Sequence, residues 1–196
     1  TIQEILGNEN IWIAETEGVV YELTRYGYFI YDGTSTLFIY DSANFETNQV
    51  IVGDNIFITG VRSVYAGTVQ LSNEFVWVGG QGNTSYPIAQ YGTVEALENH
   101  MFDSGKPVIV TATVSIEGDY NDVFLNGVAG GKVKVYFRSN ADELAGFVGQ
   151  TITITVIMYH DGIVLYQLTA ADVIVNNDYV PTDGEILSGI IDSLLG

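Results

Sequence analysis

Val52-Gly53-Asp54-Asn55-Ile56-Phe57-Ile58-Thr59 and Val148-Gly149-Gln150-Thr151-Ile152-Thr153-Ile154-Thr155 are two versions of one phrase. Each runs from a Val-Gly step into a β-branched, alternating segment that reads as a strand. The echo extends outward from there. Downstream, Val69-Gln70-Leu71 is answered by Tyr166-Gln167-Leu168. Upstream, Tyr28-Phe29-Ile30-Tyr31-Asp32-Gly33 matches Val123-Phe124-Leu125-Asn126-Gly127, and Leu37-Phe38-Ile39-Tyr40 matches Val133-Lys134-Val135-Tyr136. A repeat of this length means two homologous units. They are placed at residues 1–80 and 91–180, with 81–90 as a linker and 181–196 as a C-terminal helix. The linker is signalled by Gly79-Gly80-Gln81-Gly82-Asn83-Thr84-Ser85.

Each unit reads as five strands. The first carries them at 18–25, 26–31, 36–41, 55–64 and 68–78. The second carries them at 107–117, 122–126, 132–138, 151–159 and 163–175. Asp32-Gly33 and Asp161-Gly162 are hairpin signals, and Tyr65-Ala66-Gly67 turns the fourth strand into the fifth. Helical patterns lie outside the strands, at 1–6 and 93–99 ahead of the two units. A further one, at 182–195, spaces Ile186, Ile190 and Leu194 on one face.

Composition narrows the chemistry. The chain has 196 residues, 47% of them hydrophobic, with 24 Asp and Glu against 6 Lys and Arg, for a net charge of −18. The apolar content is enough for packed cores and argues against disorder. No apolar run reaches the roughly 18 residues that a membrane-crossing helix needs, so no membrane insertion is expected. With no Cys, thiol catalysis, disulfides and Cys-ligated metals are excluded, and two His make no multi-histidine centre. No cofactor is expected. The acidic balance opposes nonspecific attraction to nucleic acid.

Five short strands, a DG hairpin and a V-G-D entry to strand four resemble the OB-fold. In particular they are similar to the tandem OB-fold modules of bacterial secreted and cell-surface proteins, often associated with extracellular nucleases. Glu17-Gly18-Val19-Val20, Gly27-Tyr28-Phe29-Ile30-Tyr31-Asp32-Gly33 and Val52-Gly53-Asp54 carry the resemblance in the first unit. The second departs from it, with Gly127 where Asp32 stood and Gln150 in place of Asp54. The expected fold class is therefore all-β: two tandem five-stranded OB-fold (Greek-key) barrels with short flanking helices. The resemblance implies an extracellular or cell-surface location and a ligand that is an oligonucleotide, an oligosaccharide or a protein.

The usual OB ligand face is displayed by strands two and three. Alternation points Tyr28, Ile30, Leu37 and Ile39 inward in the first unit, and Phe29, Tyr31, Phe38 and Tyr40 outward. Four exposed aromatics would make a stacking platform; the plainer alternative is that something packs over them. In the second unit, Lys132, Lys134, Tyr136 and Arg138 recur at alternate positions of one strand, with Phe124 and Asn126 on its neighbour. Three of the chain's six basic residues thus share a sheet face. Cations interleaved with aromatics suit a phosphate-and-base ligand; equally, the 24 carboxylates could simply pair with them. Asp119, Asn121 and Asp122 offer oxygens for Ca²⁺ but lack the spacing of a calcium loop and read as a hairpin turn. His100 and His160 have no Ser or Asp partner at a recognisable spacing.

Two functions follow. The first is a non-catalytic module that binds single-stranded nucleic acid weakly, as an accessory of a secreted nuclease-like protein. The second is a surface module that packs against neighbouring protein domains, acts as a spacer or binds glycan. Carboxylates paired with all three cations would favour the second.

Overall fold

The structure is a computed structural model that describes residues 1–81, 86–136, 141–160, 163–165 and 174–176. The chain divides into two compact units, Thr1–Ile88 and Ala89–Gly196.

The first unit opens with α1 (Ile2–Gly7). Thr1 caps it by accepting from the Glu4 N–H at 3.3 Å, and Ile2 and Ile5 turn into the core. Five strands follow: β1 (Ile13–Thr24), β2 (Gly27–Tyr31), β3 (Thr36–Tyr40), β4 (Asp54–Tyr65) and β5 (Thr68–Gln81), with a one-turn helix α2 (Asn44–Thr47) between β3 and β4. They close into a barrel in the order β1-β2-β3-β5-β4. All pairs are antiparallel except β3 with β5, which run parallel.

β1 has to serve two partners. Ile13–Val19 pair with β4 and Val19–Thr24 with β2, with a bulge between Val20 and Glu22. Bulges bend a strand and increase its twist, which is what wrapping around a small barrel demands. Gly18 sits at the bend, where a Cβ would lie 2.9 Å from the Tyr31 carbonyl oxygen, so only glycine permits that approach. Inside the barrel are Val20, Tyr28, Ile30, Leu37, Ile39, Ile56, Ile58 and Leu71. Each buried aliphatic is worth about 1.5–3 kcal/mol over its exposed state.

The second unit contains β6 (Gln90–Tyr91), α3 (Val94–Glu98), β7 (Pro107–Glu117), β8 (Asp122–Asn126), β9 (Lys132–Val135), α4 (Ala141–Leu144), a 3-10 turn at Ala145–Phe147, β10 (Thr151–His160), β11 (Ile163–Leu165) and β12 (Ile174–Val175). Its sheet has the order β12-β10-β11-β9-β8-β7-β6, with β10 also pairing with β7. β9 and β11 are parallel, as β3 and β5 are in the first unit. Five strands were expected here; among the described residues there are seven, because β6 adds a two-residue piece beside β7, and the expected fifth strand at 163–175 contains both β11 and β12, each paired with β10. Alternation is clean in this unit. Val108, Val110, Ala112 and Val114 on β7 and Ile152, Ile154, Val156 and Met158 on β10 face one core, while threonines between them pair on the other side, Thr111 with Thr153 at 2.9 Å and Thr113 with Thr151 at 3.1 Å.

Both units are predominantly β and OB-like. The expected helix at 182–195 and the Asp161-Gly162 turn lie outside the described residues.

Candidate functional site

The face of β8 and β9 gathers the residues singled out in the second unit. In register, Phe124 stands opposite Lys134 and Asn126 opposite Lys132. Val133 and Val135 are buried while Lys132, Lys134 and Tyr136 are half-exposed, as alternation requires. The Lys132 ammonium lies 4.4 Å from the centre of the Phe124 ring, a cation–π contact.

Neither lysine is unpaired. Lys132 forms an ion pair with Glu117, and Lys134 one with Asp122 at 2.7 Å. Hydrogen bonds from Lys132 and Ser115 hold the Glu117 carboxyl below its usual range. The Lys132 backbone N–H donates to Glu98 at 3.1 Å. Asn126 spends its amide on the Thr113 carbonyl (3.0 Å) and the Ser115 hydroxyl (2.8 Å). Tyr136 is drawn toward Tyr159, ring centres 5.5 Å apart. Arg138 lies outside the described residues. Spacing on one strand placed the two lysines side by side; the carboxylates that neutralise them come from the end of β7 and the start of β8, which no spacing rule links to β9. Asp122 is thus a lysine partner at the first position of β8, directly after the hairpin turn in which Gly118 and Asn121 take positive φ. Among the described residues no group of three or more His, Asp or Glu is placed to hold a metal.

Of the two alternatives for the outward aromatics of the first unit, an exposed platform and a packed face, Phe29 and Phe38 follow the second. Phe29 and Phe38 do point away from the barrel core, but they are 0% and 4% exposed. They stand directly opposite each other on β2 and β3, with rings 5.0 Å apart, and Tyr21 joins at 6.0 Å from Phe29. Val19 and Thr36 are buried as well. Both faces of β2 and β3 are apolar in sequence because both are packed. Tyr31 is half-buried and donates its hydroxyl to the Gly33 carbonyl at 2.6 Å; Tyr40 is exposed.

The accessible aromatics lie elsewhere. On the outer face of β1, β4 and β5, Glu17 pairs with Phe57 and Phe57 with Trp77. Glu15, Thr59 and Phe75 form the next row. Phe57, Phe75 and Trp77 are 37%, 58% and 60% exposed. A Cβ on Gly79 would meet the Trp77 ring at 2.8 Å, so the indole lies over the bare glycine while most of it stays exposed. A groove of about 660 Å³ opens beside it, bounded by Tyr31, Asp32, Asn55, Glu15 and Glu17. Asp32 is the hub of that rim. Burial pushes its carboxyl up, but donation from Ser35, from the Thr34 hydroxyl and backbone, and from the Ile2 backbone outweighs burial and leaves it below its usual range. This face was missed in the sequence because Phe57 alternates with Ile56 and Ile58, and Phe75 and Trp77 with Val76 and Val78. Period two cannot choose a side when both are apolar. The one usable signal was Gly79 two residues after Trp77.

No known protein family matches the sequence, and no curated protein does. Solved structures with a similar chain course include the p204 HINb domain, at 13% identity and a TM-score of 0.39 over 81% of this chain and 95% of that one. Others are a murine DNA-binding protein bound with double-stranded DNA (11%, 0.36, 83% and 97%) and the Ifi202 HINa domain in complex with 20bp double-stranded DNA (8%, 0.38, 85% and 97%). Likeness at this level of identity and superposition does not carry a ligand from one protein to another.

Proposed function

We propose that this chain is a non-catalytic binding module of two OB-like units, and that the β8–β9 face contacts short single-stranded nucleic acid. The observation behind the reading is the grouping of Lys132, Lys134 and Phe124 on the two strands that OB-folds use for oligonucleotides. The ion pairs set its strength. Exposed pairs of this kind hold by about 0–1 kcal/mol each, so a phosphate can replace Glu117 or Asp122 at small cost, but those displaced carboxylates stay nearby. Binding is therefore weak and short in footprint. Screening over about 8–10 Å at ordinary salt keeps the rest of the −18 charge from forbidding it.

Anisotropy of labelled oligo-dT at low salt, with and without Mg²⁺ or Ca²⁺, tests this. Two phosphates neutralised on a single strand give a log K against log salt slope of about −1.4. Lys134→Glu is expected to abolish binding, and Lys134→Gln to weaken it without adding repulsion against Asp122. Unchanged affinity in both variants would show that these strands are not the site.

The second reading, a module that packs on neighbouring protein domains, serves as a spacer or binds glycan, is favoured by the pairing of both described lysines with carboxylates. It replaces the first if wild type binds no oligo-dT at low salt in either ionic condition. The secreted or cell-surface, nuclease-accessory setting belongs to the same proposal. It is tested by fractionating the native organism for the protein and by looking for a nuclease domain in the full-length product.

A further inference from the structure

We propose that the outer face of β1, β4 and β5 in the first unit is a separate binding site, and that its occupant is an extended basic peptide segment with Lys or Arg at alternate positions. The inference does not rest on the nucleic-acid reading, which concerns the other unit and the opposite charge.

The chemistry of the face selects the partner. Its two cross-strand rows each end in an exposed carboxylate, Glu17 beside Phe57 and Trp77, Glu15 beside Thr59 and Phe75. No Lys or Arg lines the groove; the Thr1 ammonium at its border is paired with Glu4 at 3.0 Å, and no ion pair engages Glu15 or Glu17 among the described residues. A polyanion would be repelled. A neutral sugar could stack on the indole, yet it would draw two carboxylates out of water without compensating them, which is costly. A guanidinium or ammonium answers both features, because it is attracted to an aromatic face and neutralises the adjacent acid.

The spacing selects the shape. Directly paired residues on neighbouring strands stand about 5 Å apart. Successive rows on one face are two residues apart along the strand, about 6.8 Å. Alternate side chains of an extended peptide repeat at the same interval, so two basic residues at i and i+2 reach the two rows together. Where the rows lie β4 is paired on both sides, whereas β1 at Glu15 and Glu17 and β5 at Phe75 and Trp77 pair with β4 alone among the described residues, so an extended peptide can also run along either open edge. Side chains set which peptide is taken, and the Trp77 indole lying over Gly79 is the largest of them.

The test is anisotropy of a fluorescein-labelled (Arg-Ser)4 peptide against the whole chain, with (Glu-Ser)4 and a neutral cello- and chito-oligosaccharide set as competitors. Wild type is expected to bind the basic peptide with salt-dependent affinity that neither competitor displaces. Trp77→Ala should weaken it about tenfold, the size of a lost cation–π contact with its apolar area. Glu15→Gln/Glu17→Gln should weaken it similarly and flatten the salt dependence, whereas Asp119→Asn, at an exposed acid of the second unit, leaves it unchanged. Because Trp77, Glu15 and Glu17 are exposed, melting curves matched to wild type confirm that the variants fold. Gly79→Ala, which forces the indole off the strand, should also weaken binding. Three results overturn the proposal: no binding at low salt, equal binding by Trp77→Ala (nonspecific attraction to an acidic chain), or displacement by oligosaccharide, which would make the face a glycan site.

Discussion

Glu95 is 1% exposed, on the short helix α3 that precedes the second unit's sheet. A carboxylate in that position has to be held, and the holder is the glycine-rich turn between β8 and β9. Oε1 accepts from the Ala129 and Gly131 backbone N–H groups, both at 3.0 Å. The turn needs glycine to come that close. A Cβ on Gly127 would lie 2.2 Å from Oε1, and one on Gly131 2.6 Å from the Glu95 Cγ. One side chain therefore sets the loop from which β9, and with it Lys132 and Lys134, departs. Glu95→Ala strands one buried donor, Gly131, and one half-buried donor, Ala129, so urea unfolding should show a loss of about 1–3 kcal/mol. Heteronuclear NMR should show shifts concentrated at 127–134. Little of this was legible beforehand. A Glu in a helix is ordinarily a solvated face, and only the run Gly127-Val128-Ala129-Gly130-Gly131 hinted that something must approach the backbone.

At the scale of elements, the turn from β4 to β5 is made by two residues, Ala66 and Gly67, with φ of 45° and 78°. Two left-handed residues suit the twist of a hairpin, and Asn-Gly is the preferred pair. Alanine there is strained, so Ala66→Asn should raise the thermal midpoint, by a stabilisation of about 0.5–1 kcal/mol. This turn was readable from Gly67, and the strand ends around it came within a few residues because Gly, Asp and Asn mark them. β1 was the exception. It begins at Ile13 rather than near Gly18, because Glu15 and Glu17 on the exposed side of Ile13-Ala14-Glu15-Thr16-Glu17 mask the alternation. Sidedness followed the same logic. It could be read in β7 and β10, where valine and isoleucine alternate with threonine. In β2 and β3 alternation placed Tyr28, Ile30, Leu37 and Ile39 inward as found, but not the burial of Phe29 and Phe38 on the other face; in β5, with apolar residues on both faces, tertiary packing decides the side.

For the whole molecule, pH acts through Glu22. Burial beside the bulge of β1 raises its carboxyl from 4.5 to about 7, with a hydrogen bond from the Leu23 backbone working the other way. The folded state holds this proton more tightly than the unfolded chain. The resulting stabilisation is complete below about pH 4.5 and is lost as pH rises through 7, by about 3 kcal/mol at most. Self-repulsion in a chain of −18 grows over the same interval, so Glu22→Gln is needed to separate the two. Its unfolding free energy, measured by urea at pH 5 and pH 8, should fall less with pH than that of wild type.

The parallel partnership of β3 and β5 also governs how the first unit comes into being. Phe38 waits for Gln70 and Ile13 for Val61, so the ring cannot close from neighbours in sequence, and loops of this length make closure slow. During synthesis, β1 to β4 emerge before the residues that seal them. Until Thr68–Gln81 arrives, β3 and β4 each present a bare row of backbone donors and acceptors, the arrangement from which strands of separate chains join. A nascent or clipped chain ending before Thr68 is for that reason a template for its own aggregation, and the last strand of the barrel is what ends that hazard.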